Sequence, residues 1–483
     1  MAAASSSADP VDVARNQSEP GAREHNRQDA NTNVNNLPGN IESLVHMDGT
    51  VRQIETQIRG HPERWSNRTV AFIMVAQNLG SFAACLGWVA FANSHNHVNT
   101  ELRLPENDQG LSTMWLLGSS IGFLLVGRLS DLYGRRWFIV CASFLGAIGS
   151  ILGWFGSSIG VHIAANICNG IAAAAQISFA FVVGELVPAE VRALYFPATL
   201  LIPCAAAFVL PAVTPTASLD DTTAWRRNYC LGTICAFFSA WIYLWCYFPP
   251  SYRQLNVAGG STLQMVRNLD IVGIIFFIFG CVLTLLGLIC VGPAYRWGRY
   301  EVVVLLCGGG AFFLAFFIHE VFFCRTPALM PPKLFRNRHY VALVNNAVFA
   351  SMTYSVVYVL WPTMVGKAFD ENPDAISNAI AWQTAILGGS LWYGMALAGT
   401  FLSLLRLAKS ICLISATVVI IVLGCLGGMQ LDELIQTKVL NVAITGVTYV
   451  WDAQDIGLAF GVLGCLCSLG CAFAQVGFAS ILD

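Results

Sequence analysis

Long uninterrupted apolar runs constrain this chain more than any other feature. Twelve can be marked off against charged or Pro/Gly breaks, at about 69–91, 111–127, 137–156, 161–184, 194–213, 228–248, 271–292, 301–323, 341–361, 380–404, 410–428 and 456–479. A hydrocarbon core about 30 Å thick is crossed by roughly 20 apolar residues in an α-helix. Composition agrees: 56% of the 483 residues are hydrophobic and 11% are charged. Soluble domains carry about 25% charged residues, so this chain has too little polar surface to cover itself in water. Barrel strands would alternate over about ten residues, whereas these runs are continuous. The chain is predicted to be an all-α polytopic membrane protein with about 12 transmembrane helices.

Residues 1–64 are polar, rich in Asn, Ala, Ser and Glu, and lack an apolar signal segment. They read as a disordered tail, leaving the first span as its own insertion signal. Lys and Arg set the orientation. With the tail in the cytoplasm, 16 basic residues flank the spans on the inside and 7 on the outside. Both ends are therefore expected inside, in the plasma membrane, and the sequons at Asn16 and Asn67 stay unglycosylated. The 16 cysteines lie mostly in or beside apolar runs, and no Cys/His set has zinc spacing. Cys465, Cys467 and Cys471 read as small packing residues. No metal or other cofactor is expected, and no nucleic-acid partner.

Between the second and third runs stands GRLSDLYGRR, residues 127–136. Gly127 would let the second span approach a neighbour closely. Asp131 can accept from a helix N-terminus or pair with Arg. Gly134 permits a turn, and Arg135 and Arg136 hold the loop at the cytoplasmic interface. This Gly-x-Leu-Ser-Asp-x-x-Gly-Arg-Arg loop resembles the signature of the major facilitator superfamily. GELVPAEVR, residues 184–192, is similar to a second element of that superfamily, Glu-x-x-Pro-x-x-x-Arg. The resemblance implies a two-bundle fold. It also implies a conformational latch made of Gly127, Asp131, Gly134, Arg135, Arg136, Glu185 and Arg192, whose charges cross-pair when the protein faces outward. A static topogenic loop is the plainer alternative.

Two spans, 271–323, follow the first six and open with LQMVRNLDIVG. This arrangement resembles the fourteen-span drug:proton antiporter branch, and within it the fungal trichothecene efflux pump-like group, which borders the siderophore–iron transporters. The implied domains are a tail at 1–64, a six-helix bundle at 65–250, two linking helices at 251–324 and a C-terminal bundle at 325–483. The chain departs from the pattern in three places. Span 4 has Asn166-Ile-Cys-Asn169-Gly170 where many drug antiporters carry Arg. Span 5, TLLIPCAAAFVLPAV, lacks the Gly/Pro-rich antiporter motif. Only four apolar runs follow the linking pair where six are expected, so the C-terminal bundle reads as incomplete.

Ionisable residues in mid-membrane default to function, and the runs contain almost none. His162, Glu301, His319 and Glu320 fall near span ends, where they are expected to snorkel. Asp131 or Glu185 is left as the proton-responsive group, with a static ion pair as the alternative reading. Neutral polar and aromatic residues are more plentiful, and Gln77, Asn78, Gln176, Asn345, Asn346, Tyr354, Tyr358 and Gln383 are candidates for a substrate cavity. Each singly could instead bond helix to helix. No Gly-x-x-x-x-Gly-Lys-Ser/Thr loop is present, so ATP is not expected to drive the protein. The reading is a monomeric secondary transporter, not an enzyme, that exports a small hydrophobic, trichothecene- or drug-like compound in exchange for protons. A siderophore–iron importer working by proton symport, and a truncated non-transporting membrane protein, are the alternatives.

Overall fold

The computed structural model describes residues 66–102, 110–178, 225–249, 270–290, 299–323, 328–368 and 456–482, with scattered positions between 182 and 205 and between 389 and 396. The expected tail at 1–64 and spans at 194–213, 380–404 and 410–428 lie outside these residues, apart from isolated positions. No strand occurs among the described residues. Their helices are α1 (Asn67–Leu102), α2 (Gly110–Tyr133), α3 (Arg135–Phe155), α4 (Ile159–Gln176), α5 (Arg226–Cys246), α6 (Ile271–Ile289), α7 (Tyr300–Ile318), α8 (Pro332–Arg336), α9 (Arg338–Ala368) and α10 (Ile456–Leu482). A π turn, His319–Phe323, extends α7. Among the described residues six stretches are long and apolar enough to cross a membrane: Asn67–Gly87, Gly110–Ser130, Arg135–Phe155, Arg226–Cys246, Ile271–Ile289 and Tyr300–Phe323.

Local chemistry sets the helix ends. Asp270 caps α6 by accepting a hydrogen bond from Gly273 N at 3.0 Å. Asn337 does the same for α9, accepting from His339 N at 3.0 Å and Tyr340 N at 3.4 Å. Pro332 opens α8, where its missing N–H costs nothing. Between α2 and α3 the only break is Gly134, with φ 95° and ψ 140°. The polar stretch 127–133, expected as a loop, is thus the last two turns of α2, and the turn is one residue long.

Helices α1 to α5 pack as one bundle: α4 lies against α1, α2 and α3, and α5 against α1 and α3. Phe82, Ala83 and Leu86 of α1 meet Ala147 of α3 and Cys235 and Ala236 of α5 in its core. The opposite face of α5 exposes Ile234, Phe237, Phe238, Trp241 and Trp245, a helical stripe suited to lipid. Helices α6 and α7 form a hairpin, and α6 also touches α2 and α10. Most of α7 faces outward through Val303, Val304, Leu314, Phe317 and Ile318. Helix α9 packs on α10, and α10 packs on α2.

Candidate functional site

In the first bundle the polar side chains fall into two groups. At its centre α1, α4 and α5 meet around Gln77. Its amide nitrogen donates to Gln176 O at 2.5 Å and to Ser81 Oγ at 3.0 Å, while its oxygen accepts from Tyr243 OH at 2.7 Å. Ser81 Oγ also donates to Gln176 O, at 3.0 Å, and Ser239 Oγ donates to Ala76 O at 2.7 Å. Asn78, one position on, donates to Met74 O and Ala198 O, each at 2.9 Å, and accepts from Ile202 N at 3.0 Å. Gln77 is only 1% exposed. These bonds satisfy polar groups that lipid could not, so Gln77 and Asn78 are fully engaged within the bundle in this conformation.

Along α4 the second group is less complete. Asn166 Oδ1 accepts from Tyr229 OH at 3.4 Å and Asn169 Oδ1 from Ser150 Oγ at 3.2 Å. The amide nitrogens of Asn166, Asn169 and Gln176 are buried without an acceptor. Spacings of three and seven residues put all three on one helix face. Buried donors left unmatched are rare, and water or an oxygen-bearing solute would satisfy them. The Asn166–Gly170 stretch, where the antiporter arginine is missing, is therefore polar and uncharged.

The motif residues divide between two jobs. Gly134 N donates back to Ser130 O at 3.0 Å, closing α2. Arg136 sends its guanidinium to Leu244 O at 2.8 Å and stacks it 3.9 Å above the Phe248 ring, joining α3 to the end of α5. Arg135 beside it is buried. Gly127 faces α10: a Cβ added at Gly461 would fall 2.5 Å from Phe123 O and 2.9 Å from Gly127 Cα. One at Gly464 would meet the Phe123 ring. The α2–α10 seam is thus a close backbone approach made by glycine on both sides. At another level of the seam Gln475 Nε2 donates to Ser112 Oγ at 2.6 Å. The backbone of Asp131 is helical, but its side chain lies outside the description, as do Glu185 and Arg192.

The remaining cavity candidates are dispersed. Asn345 is exposed on α9, Asn346 half-buried and Tyr354 buried. The side chain of Tyr358, and all of Gln383, lie outside the described residues. Two span-end residues do not snorkel. His162 is buried with Nδ1 3.0 Å from Ser158 O. Glu320 is buried too, its Oε1 accepting from Leu329 N at 2.9 Å and Met330 N at 3.1 Å. At the opposite end of α1, Glu101 accepts from Trp225 Nε1 at 2.9 Å and pairs with Arg226 at 2.7 Å, closing α1 onto α5. Tyr243, Ser239 and Gln475 were not legible as site residues. A lone hydroxyl or amide in an apolar run carries no mark of the partner it will meet.

A family model described as the fungal trichothecene efflux pump (TRI12) matches residues 54–481. The trichothecene efflux pump TRI12 of Fusarium sporotrichioides is 28% identical over 396 residues, 81% of this chain and 65% of that protein. Its namesake from Trichoderma arundinaceum is 24% identical over 364 residues, 73% of this chain and 58% of that protein. The chain thus spans less than two thirds of the length of either relative. Among solved structures, the proton:xylose symporter XylE bound to 6-bromo-6-deoxy-D-glucose matches with a TM-score of 0.56 at 16% identity, covering 87% of this chain and 90% of that one. An auto-inhibited peptide transporter of the POT family matches with a TM-score of 0.52 at 13% identity, over 86% of this chain and 89% of that one.

Proposed function

Since this chain belongs to the fungal trichothecene efflux pump family of the major facilitator superfamily and is a multi-pass integral membrane protein, we propose that it exports a small hydrophobic, oxygen-bearing compound of trichothecene type in exchange for protons. The α2–α10 seam carries this reading. Glycine faces glycine across it, so few interdigitated side chains would have to be broken for two helix groups to rock past one another, as alternating access requires. The uncommitted amide donors of α4 suit carbonyl, hydroxyl or epoxide oxygens on an uncharged solute. On this reading the polar tail and the 127–136 turn face the cytoplasm, the membrane is the plasma membrane, the monomer is the working unit and the proton gradient is the energy source. Asp131, with Glu185 and Arg192, serves as the latch on that face.

Reconstitution tests it. Inverted vesicles carrying the protein should accumulate a radiolabelled trichothecene when an inward-acid gradient is imposed, and a protonophore should abolish the uptake. Uptake that ignores the gradient, or that requires added ATP, refutes the reading.

A further inference from the structure

The hairpin of α6 and α7 holds three ionisable groups at one end that its packing does not explain. Asp270 uses Oδ1 to cap α6; its Oδ2 has no hydrogen bond and lies 3.6 Å from His319 Nδ1. The next residue, Glu320, spends Oε1 on the two backbone N–H groups of Leu329 and Met330. Its Oε2 is buried and unbonded. Asp270 and Glu320 are 6% and 5% exposed, and the Phe276 and His319 rings pack edge to face with centroids 6.1 Å apart. Burying such oxygens without hydrogen bonds is costly, so a ligand is indicated. No group of three His, Cys, Asp or Glu among the described residues could hold a metal ion. A proton needs only one lone pair.

Among the described residues no hydrogen-bond donor reaches Asp270 Oδ2 or Glu320 Oε2. Helix α10 carries no charged residue. The charged residues of α2 are Arg128 and Asp131, and the segment gripped by Glu320 continues into Lys333 and Arg336 of α8. Position gives the site a consequence. Helix α6 rests on both α2 and α10, with Cys281 and Leu285 wholly buried, while Glu320 ties the end of α7 to the chain entering α8 and α9. We propose that Asp270, His319 and Glu320 form a proton-binding site that couples the linking hairpin to the seam between the helix groups. Its part in transport rests on the exporter reading; the binding of the proton does not.

The test is infrared difference spectroscopy on the full-length protein in liposomes, between roughly pH 4 and pH 8. Glu320→Gln and Asp270→Asn should each remove one carboxyl's intensity from the carbonyl band of protonated acid, and His319→Gln should shift its midpoint. Glu301→Gln, at the other end of α7, serves as a control for the loss of an unrelated carboxyl. If Glu320→Gln is poorly folded, Glu320→Asp should keep the band with a displaced midpoint. A band that titrates identically in wild type, Glu320→Gln and Asp270→Asn overturns the site. In the same vesicles Glu320→Gln should flatten the pH dependence of trichothecene uptake. Wild-type vesicles that show the band but no gradient-driven uptake would refute the exporter reading and leave the proton site standing.

Discussion

Gly134 shows what one residue can decide here. Its φ of 95° and ψ of 140° lie near a region that only glycine occupies without strain, at about 1–3 kcal/mol for any other residue. Asn and Asp, which tolerate the ordinary left-handed helical region, gain nothing at this ψ. Gly134→Ala and Gly134→Asn should therefore lower stability alike, by about 1–3 kcal/mol, read as a fall in the melting temperature of the protein in detergent. An Asn variant as stable as wild type would mean that the turn has a different conformation. The need for glycine was legible from GRLSDLYGRR, because only backbone freedom explains Gly between two helices. The partners of Gln77 were not. Tyr243 stands 166 residues away, and no local pattern specifies a meeting across that distance.

At the scale of elements, apolar runs located the described spans to within several residues, because lipid leaves few alternatives to a helix. Errors arose where polarity was taken as the end of a helix. The segment 127–133 is polar yet helical, since Gly127 faces α10 and Gly134 N closes the last turn on Ser130 O. Such a turn can be polar where it faces protein or the interface. Helix α10 offers the sharper test of this contact. A side chain at Gly461 would begin 2.5 Å from Phe123 O, backbone that cannot move aside as a rotamer can. Gly461→Leu should force α2 and α10 apart, with an overpacking cost of about 1–3 kcal/mol. The protein should still insert and purify, while gradient-driven trichothecene uptake falls to background. Gly310→Leu is the matched control, because a Cβ there meets nothing within 4 Å; it should transport normally. Equal transport by the Gly461 and Gly310 variants would show that the seam can separate without consequence.

For the whole molecule the question is which side each connection occupies, and one helix is enough to pose it. Helix α1 holds 36 residues, about 54 Å at 1.5 Å per residue. That exceeds the hydrocarbon core of about 30 Å, so at the tilts usual for membrane helices, up to about 40°, its two ends are expected on opposite faces. Arg52, Arg59 and Arg64 precede it and Arg68 lies in its first turn, whereas the segment after it carries only Arg103. Basic residues are retained in the cytoplasm, so the proposed orientation has the tail inside and residues 103–109 outside. An epitope inserted between Arg103 and Gln109 should bind antibody on intact cells. The same epitope within residues 1–64 should bind only after permeabilisation. The reverse result would invert every connection and turn the Asp131 face outward. The exporter reading would then lose its cytoplasmic latch, although the helices, the α2–α10 seam and the Asp270–His319–Glu320 cluster would keep their geometry. Labelling of both epitopes from outside would be worse, since it would mean that α1 does not cross the bilayer, and the first bundle cannot form in lipid without it.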